Sequence, residues 1–194
     1  MNPKIAKYIS VFGHPLLTIP VFVMIALFTF ERVEKAFWIS VLIIGGIFIP
    51  LIVKMYRGEK SGAYSNFDVS NQVQRQSWYR YVIFLLSIAT VVVFATGQSR
   101  TLCFGILFST LLLISSQLIN YSIKSSLHVS LNVFLFFMIL RMNETAAGMF
   151  LLFIFLIAWA RLVLKRHTRK ELISGASIGL FWGVMYLLFM HYTN

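Results

Sequence analysis

Three residues near the end of a long apolar run have the types and spacing of a covalent catalyst. Arg161, His167 and Glu171 stand as Arg-x5-His-x3-Glu within AWARLVLKRHTRKE, residues 158–171. Residues four apart share a helical face. Glu171 can therefore accept a proton from one imidazole nitrogen of His167 and leave the other to attack an electrophile. An arginine nearby can hold phosphate oxygens through paired hydrogen bonds. Arg161 and His167 do not share a helical face, so the segment requires a break or turn near Lys165–His167 to bring them together. The same residues also fit a plainer description, the basic end of a membrane helix.

Two earlier stretches add compatible chemistry. His128 lies in SSLHVS, residues 125–130, and Arg75 follows Asp68 in DVSNQVQR, residues 68–75. Taken singly, His128 reads as an interfacial histidine and Arg75 as a solvated loop arginine. Together with the third stretch they offer two histidines, two arginines, the serine Ser126 and two carboxylates.

The elements that must position these residues are apolar helices. The chain has 194 residues, of which 59% are hydrophobic and 12% charged, against about 25% charged in soluble domains. Runs long enough to span a bilayer recur at about 13–30, 36–55, 78–96, 101–120, 127–141, 145–164 and 173–190. Short alternating segments of the barrel type are absent. The expectation is an all-α fold, a polytopic transmembrane bundle of about six to seven spans, forming one integral-membrane domain over 1–194. Polar residues from Tyr56 to Ser77 are expected to form the longest loop. The N-terminal run lacks a convincing signal-peptide cleavage site and reads as a retained helix. The lone Cys103, inside an apolar run, excludes an internal disulfide and reads as packing.

Seven spans would put the N-terminus, 56–77, 120–126 and 161–172 on one face. Of the 17 Lys and Arg residues, all but Arg32, Lys35, Arg100 and Arg141 fall on that face. The bias marks it as cytoplasmic. The net charge of +11 therefore points to topology and anionic headgroups, and no nucleic-acid partner is expected.

The three stretches, in this order, resemble the signature of the type 2 phosphatidate phosphatase superfamily, the acid phosphatase and vanadium haloperoxidase group. The family's motifs are Lys-x6-Arg-Pro, Pro-Ser-Gly-His and Ser-Arg-x5-His-x3-Asp. This chain has Asp68-x6-Arg75-Gln76, Ser125-Ser126-Leu127-His128 and Ala160-Arg161-x5-His167-x3-Glu171. The third motif carries the resemblance most specifically, the second keeps Ser and His, and the first keeps Arg. An apolar hairpin between the second and third motifs also matches. So does a helix after the third.

The resemblance implies an integral-membrane lipid phosphatase. It would hydrolyse a phosphomonoester or pyrophosphate of phosphatidate, phosphatidylglycerophosphate or a polyprenyl (pyro)phosphate. His167 would attack phosphorus and form a phosphohistidine. Glu171 would orient it, and His128 would protonate the leaving oxygen and then help activate water. Arg161, Arg75 and Ser126 would hold the phosphate oxygens. Asp68 stands where the family has a lysine and would orient an arginine, with Lys124 or Lys60 as the replacement cation. No metal or cofactor is implied, and the partners are the lipid substrate and the bilayer, taken as a bacterial cytoplasmic membrane. The charge count and the resemblance disagree on side, since such phosphatases commonly face outward. Two readings compete: a non-catalytic lipid-binding membrane protein, and a lipid phosphotransferase on the same fold.

Overall fold

The computed structural model describes residues 3–192. Its helices are α1 (Pro3–Phe12), α2 (Pro15–Phe30), α3 (Val33–Lys60), α4 (Gln72–Ala95), α5 (Arg100–Ile119), α6 (Leu127–Met142), α7 (Glu144–Val163) and α8 (Arg169–Tyr192). No strand occurs among the described residues. Five helices, α3, α4, α5, α7 and α8, are long and apolar enough to cross a membrane, and α1 with α2 makes a sixth if the broken pair is counted as one. The apolar α6 is shorter, at 16 residues.

Every apolar run expected from the sequence is a helix. Helix α1 was not anticipated, because its Lys4 and Lys7 interrupt the apolar pattern that marks a span. The stretch 56–77 also differs from expectation. Helix α3 continues to Lys60 and α4 begins at Gln72, so Arg75 is on a helix and not in a loop. Asn71 explains the early start: its side chain accepts from the amides of Val73 and Gln74, at 2.9 and 3.2 Å, as an N-cap does. Hydropathy marks where a helix meets lipid, not where its hydrogen bonds begin.

The chain divides into two compact units. One consists of the chain up to Thr18 and from Leu111 onward; the other is Ile19–Thr110. We call them the terminal and central units. The boundaries fall inside α2 and α5.

In the terminal unit α6 is the core. Leu127, Val129, Leu131, Phe134, Leu135 and Phe137 are buried, and so are His128, Ser130 and Asn132. Helix α8 packs on it through Gly175, Gly179 and Gly183. A Cβ at these positions would run into the Ser126 carbonyl, the Ser130 carbonyl and the Phe137 ring, respectively. Small residues four apart let two helix backbones approach closely. Asn132 donates to the carbonyls of His128 (2.6 Å) and Gly13 (3.0 Å), which fastens the α1–α2 break to α6.

In the central unit, residues 44–48 of α3 form a wide π-turn. Pro50 follows it. A proline inside a helix lacks one donor and crowds the carbonyl four residues back, here Gly46; a π-turn is a common way to absorb such a defect. The loop after α3 folds back on it. Tyr64 donates its amide to the Gly58 carbonyl at 2.9 Å, and its ring lies where a Cβ on residue 58 would be. The same loop is tied to α4 by Tyr64 Oη to Ser77 Oγ (3.1 Å) and by the Ser65 amide to Gln74 Oε1 (2.9 Å).

Candidate functional site

The break required between Arg161 and His167 is present. Helix α7 stops at Val163, and Lys165 takes a left-handed conformation with φ +52°. The Arg166 amide then reaches back to the Arg161 carbonyl and the Lys165 amide to the Leu162 carbonyl, both at 3.0 Å. That pair of bonds is a Schellman motif, with lysine where glycine is usual. It reverses the chain and brings His167 back beside Arg161, whose carbonyl its amide meets at 3.4 Å.

Helix α8 starts immediately afterwards from a reciprocal cap. Thr168 Oγ1 accepts from the Glu171 amide, and Glu171 Oε2 accepts from the Thr168 amide, each at 3.3 Å. This is a capping box, Thr-x-x-Glu. The same Oε2 lies 2.7 Å from His167 Nδ1 and 3.7 Å from Lys124 Nζ. A carboxylate only accepts, so Nδ1 carries the proton and Nε2 has the lone pair. Glu171 thus orients the imidazole and caps the helix at once. Thr168→Ala is expected to lower stability by about 1 kcal/mol in thermal denaturation of the detergent-solubilised chain, with Thr168→Ser close to wild type. An unshifted midpoint for the alanine variant would show that the cap contributes nothing.

Lys124 is held at this spot by a second bond, from Nζ to the Arg166 carbonyl at 3.2 Å. The Ser126 amide donates to the Glu171 carbonyl at 3.1 Å, so the start of α6 is stitched to the first turn of α8. Ser126 occupies the N-cap position of α6 but makes no side-chain cap. Its Oγ is buried and without a hydrogen bond. A buried hydroxyl costs free energy unless something satisfies it, and a ligand oxygen would.

His128 and Arg161 form a second cluster in the same unit. Arg161 Nη1 donates to Ser10 Oγ at 2.9 Å and lies 3.5 Å from His128 Nε2. Arginine has no acceptor, so Nε2 can only accept here and the proton sits on Nδ1. His14 stands edge-on to His128, with 4.6 Å between ring centroids, and its Nδ1 takes the Leu16 amide at 3.1 Å. Arg161, His128 and His167 are all buried; Lys124 and Glu171 form the partly exposed rim.

The terminal unit therefore holds His167, Glu171, Lys124, Ser126, His128 and Arg161. Asp68 and Arg75 belong to the central unit. There Arg75 is buried and its Nε donates to the Val69 carbonyl at 3.1 Å. Val69 has φ +46°. Asp68 is half-buried just before it. Lys60, the other cation considered, lies 5.2 Å from the centroid of the Tyr56 ring.

Sequence reasoning missed three contributors. The Thr168-x-x-Glu171 cap was legible as a motif. Ser10 and Asn132 were not, because their contacts join residues more than a hundred positions apart. Comparison with protein-family models, with curated proteins and with solved structures finds no match.

Proposed function

We propose that the chain is an integral-membrane lipid phosphatase of the type 2 phosphatidate phosphatase kind, with His167 as nucleophile. The observation that carries this reading is the 2.7 Å bond from His167 Nδ1 to Glu171 Oε2. It leaves the other ring nitrogen as the nucleophilic one. In the first step a P–N bond to His167 Nε2 forms as the P–O bond to the lipid alcohol or phosphate breaks. The leaving oxygen takes a proton from His128, which has to enter this step doubly protonated and leaves it neutral. In the second, water attacks the phosphohistidine, His128 accepts its proton, and inorganic phosphate departs. Splitting the displacement lowers each barrier. Arg161 and the Ser126 hydroxyl would stabilise charge on the transferring phosphoryl, joined in this reading by Lys124.

The apolar helices support a multi-pass placement: five are long enough to span, six with the α1–α2 pair counted as one, and a seventh span would require the shorter α6. Many large apolar residues, among them Trp38, Phe84, Met149, Leu152 and Phe155, are exposed, as a lipid-facing surface requires. The test is phosphate release from phosphatidate, phosphatidylglycerophosphate and polyprenyl pyrophosphate in the presence of a chelator. Wild type is expected to release phosphate from at least one of them, and His167→Ala from none.

The second reading, a non-catalytic lipid-binding protein, is favoured by one observation: the capping box and the Lys124 ion pair give Glu171 a structural role that needs no substrate. Lipid binding with no turnover across the panel would establish it. Phosphate transferred to a second lipid and not to water would instead mark a phosphotransferase.

A further inference from the structure

We propose that the central unit carries a binding site of its own for the phosphate group of an anionic lipid, in the cavity between the basic end of α3 and the start of α4. The site shares no residue with the proposed phosphatase site and requires no turnover.

The cavity measures about 590 Å³ and is lined by residues of α3, of the following loop and of α4. That is within the range of small-ligand pockets. Lys54 and Arg57 both line it. They are three residues apart and share a helical face. No carboxylate occurs among the described residues lining it. The Lys54 ammonium is held 4.6 Å above the Tyr81 ring centroid, a cation–π contact that fixes its position without neutralising it. Ser61, Tyr64 and Ser77 bring hydroxyls to the same wall, and Gln74 an amide. The hydroxyl protons are committed within the protein, Ser61 to the Gly58 carbonyl, Ser77 to the Gln74 carbonyl and Tyr64 to Ser77, so it is the two cations, with the Gln74 amide group beside them, that suit a phosphate.

One feature opposes an anion here. The carboxyl end of a helix is electronegative. Three of the last carbonyls of α3 are already occupied, however. Arg57 accepts from the Ser61 amide, Gly58 from the Tyr64 amide and Glu59 from the Gly62 amide. This lessens the opposition, and the Lys54 and Arg57 charges act against what remains.

The apolar part of the lining argues for a lipid phosphate over a free anion. Pro50 and Val53 form the side of the cavity toward the apolar body of α3. Exposed Ile49, Ile52 and Val53 lie along the same stretch. An acyl chain could follow them while its phosphate meets Lys54 and Arg57. Anionic headgroups are attracted to basic residues at a helix end.

The test uses the full chain in detergent and a phosphatidate carrying a diazirine on its acyl chain. Photolabelled residues are mapped by mass spectrometry. Labelling is expected between Ile49 and Tyr81. Unlabelled dihexanoyl phosphatidate should compete with it, and equal concentrations of dihexanoyl phosphatidylcholine or inorganic phosphate should not. Lys54→Gln with Arg57→Gln should reduce it by about tenfold or more. The charge-preserving pair Lys54→Arg with Arg57→Lys should retain it, which separates lost charge from lost folding. Undiminished labelling in the neutral double variant, or its absence from this segment in wild type, overturns the proposal. Equal competition by inorganic phosphate overturns the assignment to a lipid. His167→Ala, which leaves the probe unhydrolysed, should label here at least as strongly as wild type, so a failure of the phosphatase reading would leave this result intact.

Discussion

His167→Ala is expected to reduce phosphate release by roughly 10³-fold or more, since removing a covalent nucleophile removes the two-step route itself. The side chain is buried, so the loss must be separated from misfolding. Glu171→Gln provides the separation. An amide oxygen can still accept from the Thr168 amide and preserve the cap, but the carboxylate beside His167 Nδ1 is gone. Activity should fall by roughly 10²–10⁴-fold, by analogy with neutralising the acid of a Ser-His-Asp triad. Denaturation should move little. The comparison is informative because one oxygen, Glu171 Oε2, serves both partners. If turnover and stability fell together in Glu171→Gln, the residue would be a cap and nothing more. A His167→Ala protein that still released phosphate would exclude the phosphohistidine route outright.

Gly179→Val should have the largest effect on folding. A Cβ there would meet the Ser130 carbonyl and the Val133 side chain well inside contact distance. Helices α6 and α8 would have to separate, and nine residues of α6 are buried. Backbone atoms cannot yield as a flexible side chain can. The cost is expected to reach about 3 kcal/mol or more, seen as little folded protein in size-exclusion chromatography. Gly148→Val is the control, because a Cβ at residue 148 meets nothing within 4 Å. Equal yields of the two variants would show that the α6–α8 approach is not limiting.

Much of this architecture could be read from the chain alone, for reasons that differ by element. The long apolar runs mark helices because their backbone groups must be satisfied internally wherever lipid replaces water. The turn at Lys165 was legible because Arg161 and His167 cannot meet on an unbroken helix. The His167–Glu171 pair forms, but not on a shared helical face: His167 precedes the Thr168 cap and lies outside α8, and the capping box brings Glu171 Oε2 to it. Arg75 was misplaced in a loop because polar Gln72–Ser77 hides a helical start that only the Asn71 cap reveals. The Gly175-Gly179-Gly183 series was visible but became meaningful only with α6 in place. The tie of Arg161 to Ser10 spans 151 positions, and no local pattern encodes such a distance.

The π-turn in α3 has a consequence for everything downstream. It inserts one residue without completing another α-turn, and one residue amounts to about 100° of rotation about the axis. Lys54, Arg57 and Gly58 are turned toward α4 and Tyr64 by that offset. The π-turn ahead of Pro50 thus acts as a register setting: it chooses which side of a long helix shows its charge to a neighbour and which side stays oily.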